Sequence, residues 1–474
     1  MSSVATPGVD RAGRTALLVW GTAVAVYLAA VFHRTSLGVA GLEAAERFGI
    51  GSAALGTFTV LQIGVYSAMQ VPTGVLVDRF GPRRVLTAAA LCMGAGQVLF
   101  AVAGGFPAAL AARALLGLGD AMTFVSVLRI CAAHFPRRSY TRFAALTAAT
   151  GMFGNLVATV PLTLLLSTAG WTATFAATGA ATAAYALVVA LRVRDTPDGD
   201  AERPVAAAPR EVLSQVRAVW KVPGNRLGFW VHFATMFAPA SLGLLWGFPY
   251  LVQAQGMTAP QAGATLSLLV LVGMVFGPVI GETTGRRPIL RLPIVWSYMA
   301  LSAVLWAVLL GWPGGVLPKP VVVVAIGLMS IGGPISSVSF ALARDYNPLS
   351  RVGTATGVVN VGGFCAITIT SFAVGVLLGG DTADAGPRDF RVAFLAIAAL
   401  LALGSWRMFV WWRRARAAVF EATERGEAVP VRIRRRAWDI PALPAGEAQP
   451  RPLDSESANH PAPVRCRGTC HCFR

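Results

Sequence analysis

Five ionisable side chains lie within long apolar stretches of the sequence: His33, Arg34, Arg113, Asp120 and His232. An ionisable group at the centre of a lipid bilayer costs about 2.5–3.5 kcal/mol on insertion scales, so each is a candidate for a functional site. Arg34 follows "YLAAVFH", and its planar guanidinium can bind a carboxylate or a phosphate through two hydrogen bonds. The structural alternative is that Arg34 extends to the membrane surface and binds no substrate.

Arg113 and Asp120 stand seven residues apart, which places them on one helix face about 10 Å from each other along the axis. Asp120 is therefore free to pair with Arg34 on a neighbouring helix, or to take up a proton. A fixed ion pair that only joins helices is the alternative. His33 and His232 could join a proton relay, since imidazole titrates near neutral pH, or could simply be hydrogen-bonded in the interior. We predict proton coupling by Asp120, His33 and His232, and contact of Arg34 and Arg113 with an anionic substrate.

Uncharged polar residues in the same stretches are further candidates for substrate contacts. Gln62 and Tyr66 are four residues apart, in a stripe that continues to Gln70, so they share one helix face. We predict substrate binding by Gln62, Tyr66, Asn155 and Asn360. Hydrogen bonding between helices is the alternative role for each of them.

The composition indicates that lipid is the solvent of these stretches. Of 474 residues, 55% are hydrophobic and 13% are charged, and the mean hydropathy is +0.62. A soluble domain carries about 25% charged residues. About twelve apolar segments between residues 15 and 412 are each long enough to cross a ~30 Å hydrocarbon core. The sequence predicts an all-α membrane protein with twelve transmembrane helices and no soluble catalytic domain.

A polar segment rich in Pro, Asp and Arg divides the apolar runs into two sets of six. We predict a cytoplasmic N-terminal arm at 1–14, a six-helix bundle at 15–194, a cytoplasmic linker at 195–226, a second six-helix bundle at 227–412 and a disordered basic tail at 413–474. "GVLVDRFGPRR" in the first half has a counterpart, "GPVIGETTGRRP", in the second. This echo indicates two pseudo-symmetric bundles. The tail ends in "CRGTCHCF", whose spacing matches no zinc module, so we expect neither a metal nor a cofactor.

The formal net charge of +18 is concentrated in alternate loops and in the tail. With a cytoplasmic N-terminus, the inside loops and the N-terminal arm hold about 20 Lys and Arg against about 4 outside, a strong positive-inside bias. We predict a protein of the cell inner membrane, monomeric, with both termini in the cytoplasm. Attraction to the anionic lipid bilayer explains the charge, so no nucleic-acid partner is expected.

The stretch "GVLVDRFGPRRVL" places a carboxylate, Asp78, at the C-terminal end of a helix, where the helix dipole disfavours an anion. Asp78 would be stable there beside the loop arginines, or beside the N-terminus of another helix, for which the segment starting near Gly353 is a candidate. Glycines in the stretch suit close helix approach and a tight turn. The candidate gate-loop residues are Gly74, Asp78, Arg79, Gly81, Arg83 and Arg84.

This pattern, G-x-L-x-D-R-x-G-x-R-R between the second and third of twelve helices, resembles the major facilitator superfamily. "RALLGLGDAM", residues 113–122, is similar to the fourth-helix motif of that superfamily, and the resemblance covers residues 15–412. It implies secondary transport by alternating access, in which the gate loop favours the outward-facing state. It also implies that the first, fourth, seventh and tenth helices face a central cavity. "YLAAVFHR" resembles the first helix of the organophosphate and organic-anion branches, where an arginine contacts the anionic substrate, and this marks Arg34.

Three functions are compatible with these features. The first is transport of a small solute, an organic anion, with a proton or a counter-anion as the coupled partner. The second is proton-coupled export of hydrophobic drugs or metabolites through Asp120, although the fifth run, "GMFGNLVATVPL", lacks the G-P-x-x-G signature common in such antiporters. The third is a membrane sensor that binds ligand without transport. An enzyme is not expected, because no nucleophile–base arrangement stands out, and ATP is not expected as energy source, because no G-x-x-x-x-G-K-[ST] loop is present.

Overall fold

The computed structural model describes residues 7–197, 209–379 and 385–427, together with 429, 430, 433 and 439. Within these residues the chain consists of helices and short connections, without strands. The helices of the first half are α1 (Pro7–Val39), α2 (Gly41–Phe48), α3 (Ser52–Phe80), α4 (Pro82–Val102), α5 (Phe106–Ala121), α6 (Thr123–His134) and α7 (Arg137–Arg192). The linker contains α8 (Pro209–Lys221).

The helices of the second half are α9 (Pro223–Ser241), α10 (Gly247–Pro249), α11 (Ala259–Arg286), α12 (Arg291–Gly311), α13 (Lys319–Met329), α14 (Gly332–Asp345), α15 (Val352–Leu377) and α16 (Pro387–Glu424). Two π-helical turns, Leu242–Trp246 and Tyr250–Ala254, extend α9 through α10 into one long segment. The short 3-10 turns Pro288–Leu290 and Leu349–Arg351 precede α12 and α15.

Eleven helical segments of the described chain are long and apolar enough to cross a membrane. α7 supplies two crossings, because it reverses at Gly170, whose φ of 71° and ψ of 177° are not helical. The Thr174 hydroxyl donates to the Leu165 carbonyl at 2.9 Å, whereas nine residues of continuous helix would span about 13 Å. The prediction of an all-α membrane protein with twelve transmembrane helices is therefore confirmed.

The two halves have matching interruptions. The fourth crossing breaks near its middle between α5 and α6, and the tenth breaks between α13 and α14. One apolar core lies wholly within the second half, whereas another crosses between the halves. In the shared core, the rings of Phe124 in α6 and Phe340 in α14 lie 5.2 Å apart.

Three predicted domain boundaries differ from the structure. α1 begins at Pro7, within the predicted arm 1–14, and α9 begins at Pro223, within the predicted linker. The prediction of disorder from residue 413 is wrong for 413–424, which continue α16. Apolar side chains such as Val419 and Phe420 are buried there, so this part of the helix packs against the protein rather than extending into water. The cysteine-rich end of the tail lies outside the described residues.

Candidate functional site

Arg34 and Asp120 form the charged centre of the molecule. α1 carries Arg34 and α5 carries Asp120 near its C-terminal end, where the fourth crossing breaks. The Arg34 Nε donates to Asp120 Oδ2 at 2.8 Å, and Nη2 donates to Oδ1 at 2.6 Å. The Asp120 side chain is fully buried, whereas 29% of the Arg34 side chain is exposed. Arg34 is therefore held by a two-point ion pair, and the alternative that it extends to the membrane surface is wrong.

Tyr66 on α3 connects this pair to the second half. The Arg34 guanidinium carbon lies 4.7 Å from the centroid of the Tyr66 ring, and the same ring lies 4.7 Å from that of Phe364 on α15. The Tyr66 backbone carbonyl accepts a hydrogen bond from Gln70 Nε2 at 2.9 Å. Tyr66 thus contacts residues of both halves at the depth of the ion pair.

The polar contacts continue from Tyr66 into α15 and α9. The Asn360 amide donates to Gln70 Oε1 at 2.6 Å, and His232 Nε2 donates to Asn360 Oδ1 at 3.1 Å. The structure therefore brings together five of the predicted residues, Arg34, Asp120, Tyr66, Asn360 and His232. Gln70 belongs to this network although we did not predict it as a site residue; its place in the stripe with Gln62 and Tyr66 is the signal that could have identified it.

Two predicted residues, Arg113 and His33, point away from the network. The fully buried Arg113 donates to the His33 carbonyl at 3.1 Å and to Ser36 Oγ at 3.4 Å, and its guanidinium carbon lies 4.0 Å from the Phe100 ring centroid. No ion pair of the described residues includes Arg113. The His33 imidazole is 2.8 Å from Thr182 Oγ1 in the second crossing of α7. In this conformation both side chains join helices of the first half to one another, and their predicted roles in substrate binding and proton coupling stay predictions.

The remaining polar candidates, Gln62 and Asn155, also contact neighbouring helices. Gln62 is buried against α5, where Gly117 leaves room for it. The Thr35 hydroxyl donates to Asn155 Oδ1 at 2.5 Å, which links α1 to α7. Asn155 therefore lies in space beside the α1 turn that carries Arg34, and this hydrogen bond joins two helices.

Asp78 closes one end of the molecule, which we call the loop end because residues 78–84 lie there. Its carboxylate accepts hydrogen bonds from the Gly353 and Thr354 backbone N–H groups, at 2.8 and 2.7 Å, and from the Thr354 hydroxyl at 2.7 Å. These donors lie in the first turn of α15, so the contact expected near Gly353 is present. The field of a helix N-terminus stabilises an anion there.

The cation beside Asp78 comes from α6 and not from the loop that follows Asp78 in the chain. Arg129 of α6 lies 3.6 Å from Asp78, whereas Arg79 stacks over the neighbouring Phe80 ring at 4.9 Å. The loop arginines were expected to neutralise Asp78, and this part of the expectation is corrected: Arg84 and Arg83 form no ion pair in the described chain. Asp195 accepts from the backbone N–H of Arg83 at 2.8 Å and so caps α4.

Glycines allow the halves to approach closely at the loop end. A Cβ on Gly74 would lie 2.8 Å from the Thr354 Cα, and one on Gly281 would lie 2.7 Å from the Ala145 Cβ, so neither position has room for a side chain. Gly81, with a φ of 80°, adopts the left-handed turn between α3 and α4. Farther from the loop end, a Cβ on Gly64 would meet no atom within 4 Å.

The second half contributes its own charged contacts at the loop end. Glu282, in the counterpart of the gate-loop sequence, lies 3.5 Å from Arg142 of α7. The buried Arg291 pairs with Asp345 and also donates to Thr141 Oγ1 of the first half at 3.4 Å. We did not predict the Arg291–Asp345 pair. Asp345 lies in "FALARDYNPLSRVG", which is weakly similar to "SVLRICAAHFPRRSYTRF" of the first half, and this similarity is the signal that could have identified it.

Twelve crossings in two six-helix bundles, with a polar centre shared between them, are the architecture of secondary transporters that work by relative movement of their halves. The Major Facilitator Superfamily model matches residues 22–318, which is more than half of the chain. The chain belongs to this superfamily, and the resemblance noted in its sequence is confirmed. It is a multi-pass inner-membrane transporter and not an enzyme; members of the superfamily bind small-molecule substrates and usually work as monomers.

Individual relatives are distant. The probable sulfoacetate transporter SauU of Cupriavidus necator is 25% identical over 57% of this chain and 64% of its own length, slightly less than two thirds. The probable galactarate/D-glucarate transporter GarP of Escherichia coli K12 is 24% identical over 78% of this chain and 89% of its own length. Among solved structures, the human organic anion transporter MFSD10 (TETRAN) is similar with a TM-score of 0.61 and 15% identity, covering 83% of this chain and 99% of that chain. That structural similarity shows the fold alone.

Proposed function

We propose that this transporter moves a small organic anion by alternating access and that Arg34 binds the anionic group. The observation that carries the proposal is the two-point Arg34–Asp120 ion pair, with Arg34 partly exposed and in contact with Tyr66. Guanidinium binds carboxylate, sulfonate or phosphate oxygens through the same paired geometry that it now uses with Asp120. The names of the relatives, transporters of sulfoacetate and of galactarate and D-glucarate, support an anionic substrate.

Asp120 and the substrate compete for one guanidinium. When Asp120 takes up a proton, it no longer forms an ion pair, and both N–H groups of Arg34 become available to an incoming carboxylate. Release of that proton restores the pair and expels the anion. Binding of the anion is thereby coupled to protonation of Asp120. Exchange against a second anion is the other coupling that this site permits, because a counter-anion would replace the first on Arg34 without a proton.

The uncharged groups of the network provide hydrogen bonds for the rest of the substrate. Tyr66 contacts Arg34 in the first half, and Asn360 of the second half donates to Gln70, one helical turn from Tyr66 on α3. A hydroxylated anion held by Arg34 in the first half could therefore be contacted by Asn360 in the second. Such a bridge is what a substrate needs in order to draw the two halves together around it.

The orientation follows from the loop charges. The positive-inside bias supports a cytoplasmic location for both termini and the loop end. The loop end is closed by Asp78 and by the glycine contacts, which supports an outward-facing state in which the substrate would reach Arg34 from outside. The closed glycine contact at Gly74 and the open space at Gly64, both on α3, support this assignment.

The test is uptake into proteoliposomes of galactarate, D-glucarate and sulfoacetate, with an inward proton gradient and without it. Wild type is compared with Arg34→Lys and Asp120→Asn, and Arg47→Lys on α2 controls for the same exchange outside the site. We expect saturable uptake of at least one anion. Arg34→Lys keeps the charge but loses the planar pair of N–H donors, so one of two charge-assisted hydrogen bonds, worth about 1.5–3 kcal/mol, is lost and affinity should fall roughly 10- to 150-fold. Asp120→Asn should abolish the stimulation of uptake by the proton gradient, and it should still bind the anion.

Each other outcome decides against part of the proposal. Uptake driven only by internal anion would replace proton coupling by exchange. A thermal-unfolding measurement on the purified proteins gives a further outcome. If cations or neutral amphipaths raise the Tm of both wild type and Arg34→Lys, and anions do not, the anion site is refuted and a drug or metabolite exporter that relies on Asp120 is favoured. Anion binding without uptake would favour a sensor.

A further inference from the structure

Three arginines converge at the loop end, where α9 begins and α16 runs past it. Arg226 lies in the first turn of α9, and Arg407 and Arg414 lie on α16. The side-chain charges that act on Arg226 are those of Arg414 and Arg407, and both are positive. In the part of the chain that the structure describes, none of the ion pairs includes any of these three residues.

Tryptophans surround the three guanidinium groups. The guanidinium carbons of Arg226 and Arg414 lie 4.4 and 4.7 Å from the centroid of the same Trp411 ring. Arg226 is also 5.3 Å from the Trp220 ring, and Arg407 is 5.2 Å from the Trp230 ring. We call these residues the arginine–tryptophan cluster; its members are Arg226, Arg407, Arg414, Trp220, Trp230 and Trp411.

The cluster differs from the neighbouring arginines of the same helix end. Arg416 is paired with Asp439, and Arg425 is paired with Glu427. The arginine–tryptophan cluster instead holds three like charges at a partly exposed place, with ring faces but no carboxylate to offset their repulsion. An anion from outside the chain would supply the missing charge, and a phosphate diester can accept hydrogen bonds from more than one guanidinium.

The surroundings match a lipid better than a soluble anion. On the membrane side of Arg414, Trp406 of α16 is 59% exposed, and the centroid of its ring lies 5.6 Å from the Arg407 guanidinium carbon, so it offers an apolar surface to acyl chains. Trp220 and Leu213 are exposed on α8, a short helix beside the start of α9. Tryptophan is enriched at the level of the lipid headgroups, and basic pockets on the cytoplasmic side bind anionic headgroups.

We propose that the arginine–tryptophan cluster binds the phosphate headgroup of one anionic glycerophospholipid in the leaflet at the loop end, with its acyl chains along Trp406. This site lies on the lipid-facing surface of the second half, at the loop end, and is separate from the Arg34–Asp120 pair. The bound lipid would hold the start of α9 against α16. The same end of α9 also contacts the connection before α15, since Asn225 donates to Asn347 Oδ1 at 3.1 Å.

The test is native mass spectrometry of the full-length protein in detergent, titrated with phosphatidylglycerol, with phosphatidylcholine and with inorganic phosphate. Wild type is compared with the triple variant Arg226→Gln/Arg407→Gln/Arg414→Gln. Arg425→Gln is the matched control, since it removes an arginine from the same helix end that already has an internal partner. Each arginine near a membrane surface contributes about a five-fold increase in affinity for anionic lipid. We expect the triple variant to bind phosphatidylglycerol about 100-fold more weakly and the control to differ less than two-fold.

The proposal is overturned if the triple variant retains wild-type affinity for phosphatidylglycerol, or if phosphatidylcholine binds equally well. It is also overturned, as a lipid site, if inorganic phosphate displaces phosphatidylglycerol at similar concentration, because the acyl chains would then contribute nothing. If the triple variant does not fold, Arg414→Gln alone, at the most exposed of the three positions, carries the test with an expected loss of about five-fold. Anion uptake is not a readout, so failure here leaves the proposed transport function unaffected.

Discussion

Replacing Asp78 by asparagine should open the loop end of the transporter. The carboxylate of Asp78 accepts three hydrogen bonds of 2.7–2.8 Å from Gly353 and Thr354, and it lies 3.6 Å from Arg129. All of these partners except Arg129 belong to the second half. The interaction therefore exists only while the halves are closed at this end. Its loss raises the free energy of the closed state and leaves that of the open state unchanged.

The size of the effect follows from the contacts. A hydrogen bond to a charged group is worth about 1.5–3 kcal/mol, and an anion at a helix N-terminus gains about 0.3–1 kcal/mol in addition. In Asp78→Asn one oxygen can still accept, but the amide N–H₂ faces a backbone N–H donor of α15 and the charge is lost. We expect the closed state to lose about 3 kcal/mol, which changes the ratio of closed to open molecules by roughly two orders of magnitude.

The assay is the distance between spin labels at Arg137→Cys and Arg287→Cys, two exposed positions on opposite halves at the loop end, in a background without the native cysteines. Asp195→Asn is the matched control. Asp195 also caps a helix, through the N–H of Arg83 at 2.8 Å, but donor and acceptor both belong to the first half. We expect a longer distance to become the major population in Asp78→Asn and the wild-type distribution in Asp195→Asn.

An unchanged distance distribution in Asp78→Asn would refute the reasoning, because the capped α15 N-terminus would then not hold the halves together. Equal opening in Asp195→Asn would refute it too, since the effect would come from charge loss at the loop end and not from a bond between the halves.

Two further predictions concern the same closure. Gly74→Ala should open the loop end, because the new Cβ would lie 2.8 Å from the Thr354 Cα. Gly64→Ala, whose Cβ would meet no atom within 4 Å, should leave the spin-label distance unchanged. A Gly74→Ala protein that keeps the closed distance would contradict this prediction. Glu282→Gln should shift the closed–open ratio by less than about five-fold, because the Arg142–Glu282 pair is 49% and 33% exposed and such pairs contribute about 0–1 kcal/mol. Opening comparable to that of Asp78→Asn would show that the two gate loops act alike.

Much of the architecture could be predicted from the sequence. The length of each apolar run determines whether it can cross a bilayer, and the twelve crossings and two halves followed from that local property. The reversal at Gly170 falls between two of the predicted runs, because the apolar run is interrupted there. The end of α16 could not be predicted in the same way, because residues 413–424 are too polar for a membrane helix and are held by packing and by the Arg416–Asp439 pair.

The sequence by itself also identified which residues were unusual. Asp78 is a carboxylate at the C-terminal end of a helix, where the helix dipole disfavours an anion, and Arg34 and Asp120 are charges inside apolar runs. Only the tertiary structure decided their partners. Asp120 could have remained free, yet it lies beside Arg34, and Asp78 is neutralised by Arg129 rather than by the arginines of its own loop. Arg113, on the same helix as Asp120, instead binds the His33 carbonyl. These choices depend on the rotation and relative height of helices far apart in the chain, which hydropathy and spacing within one helix do not contain.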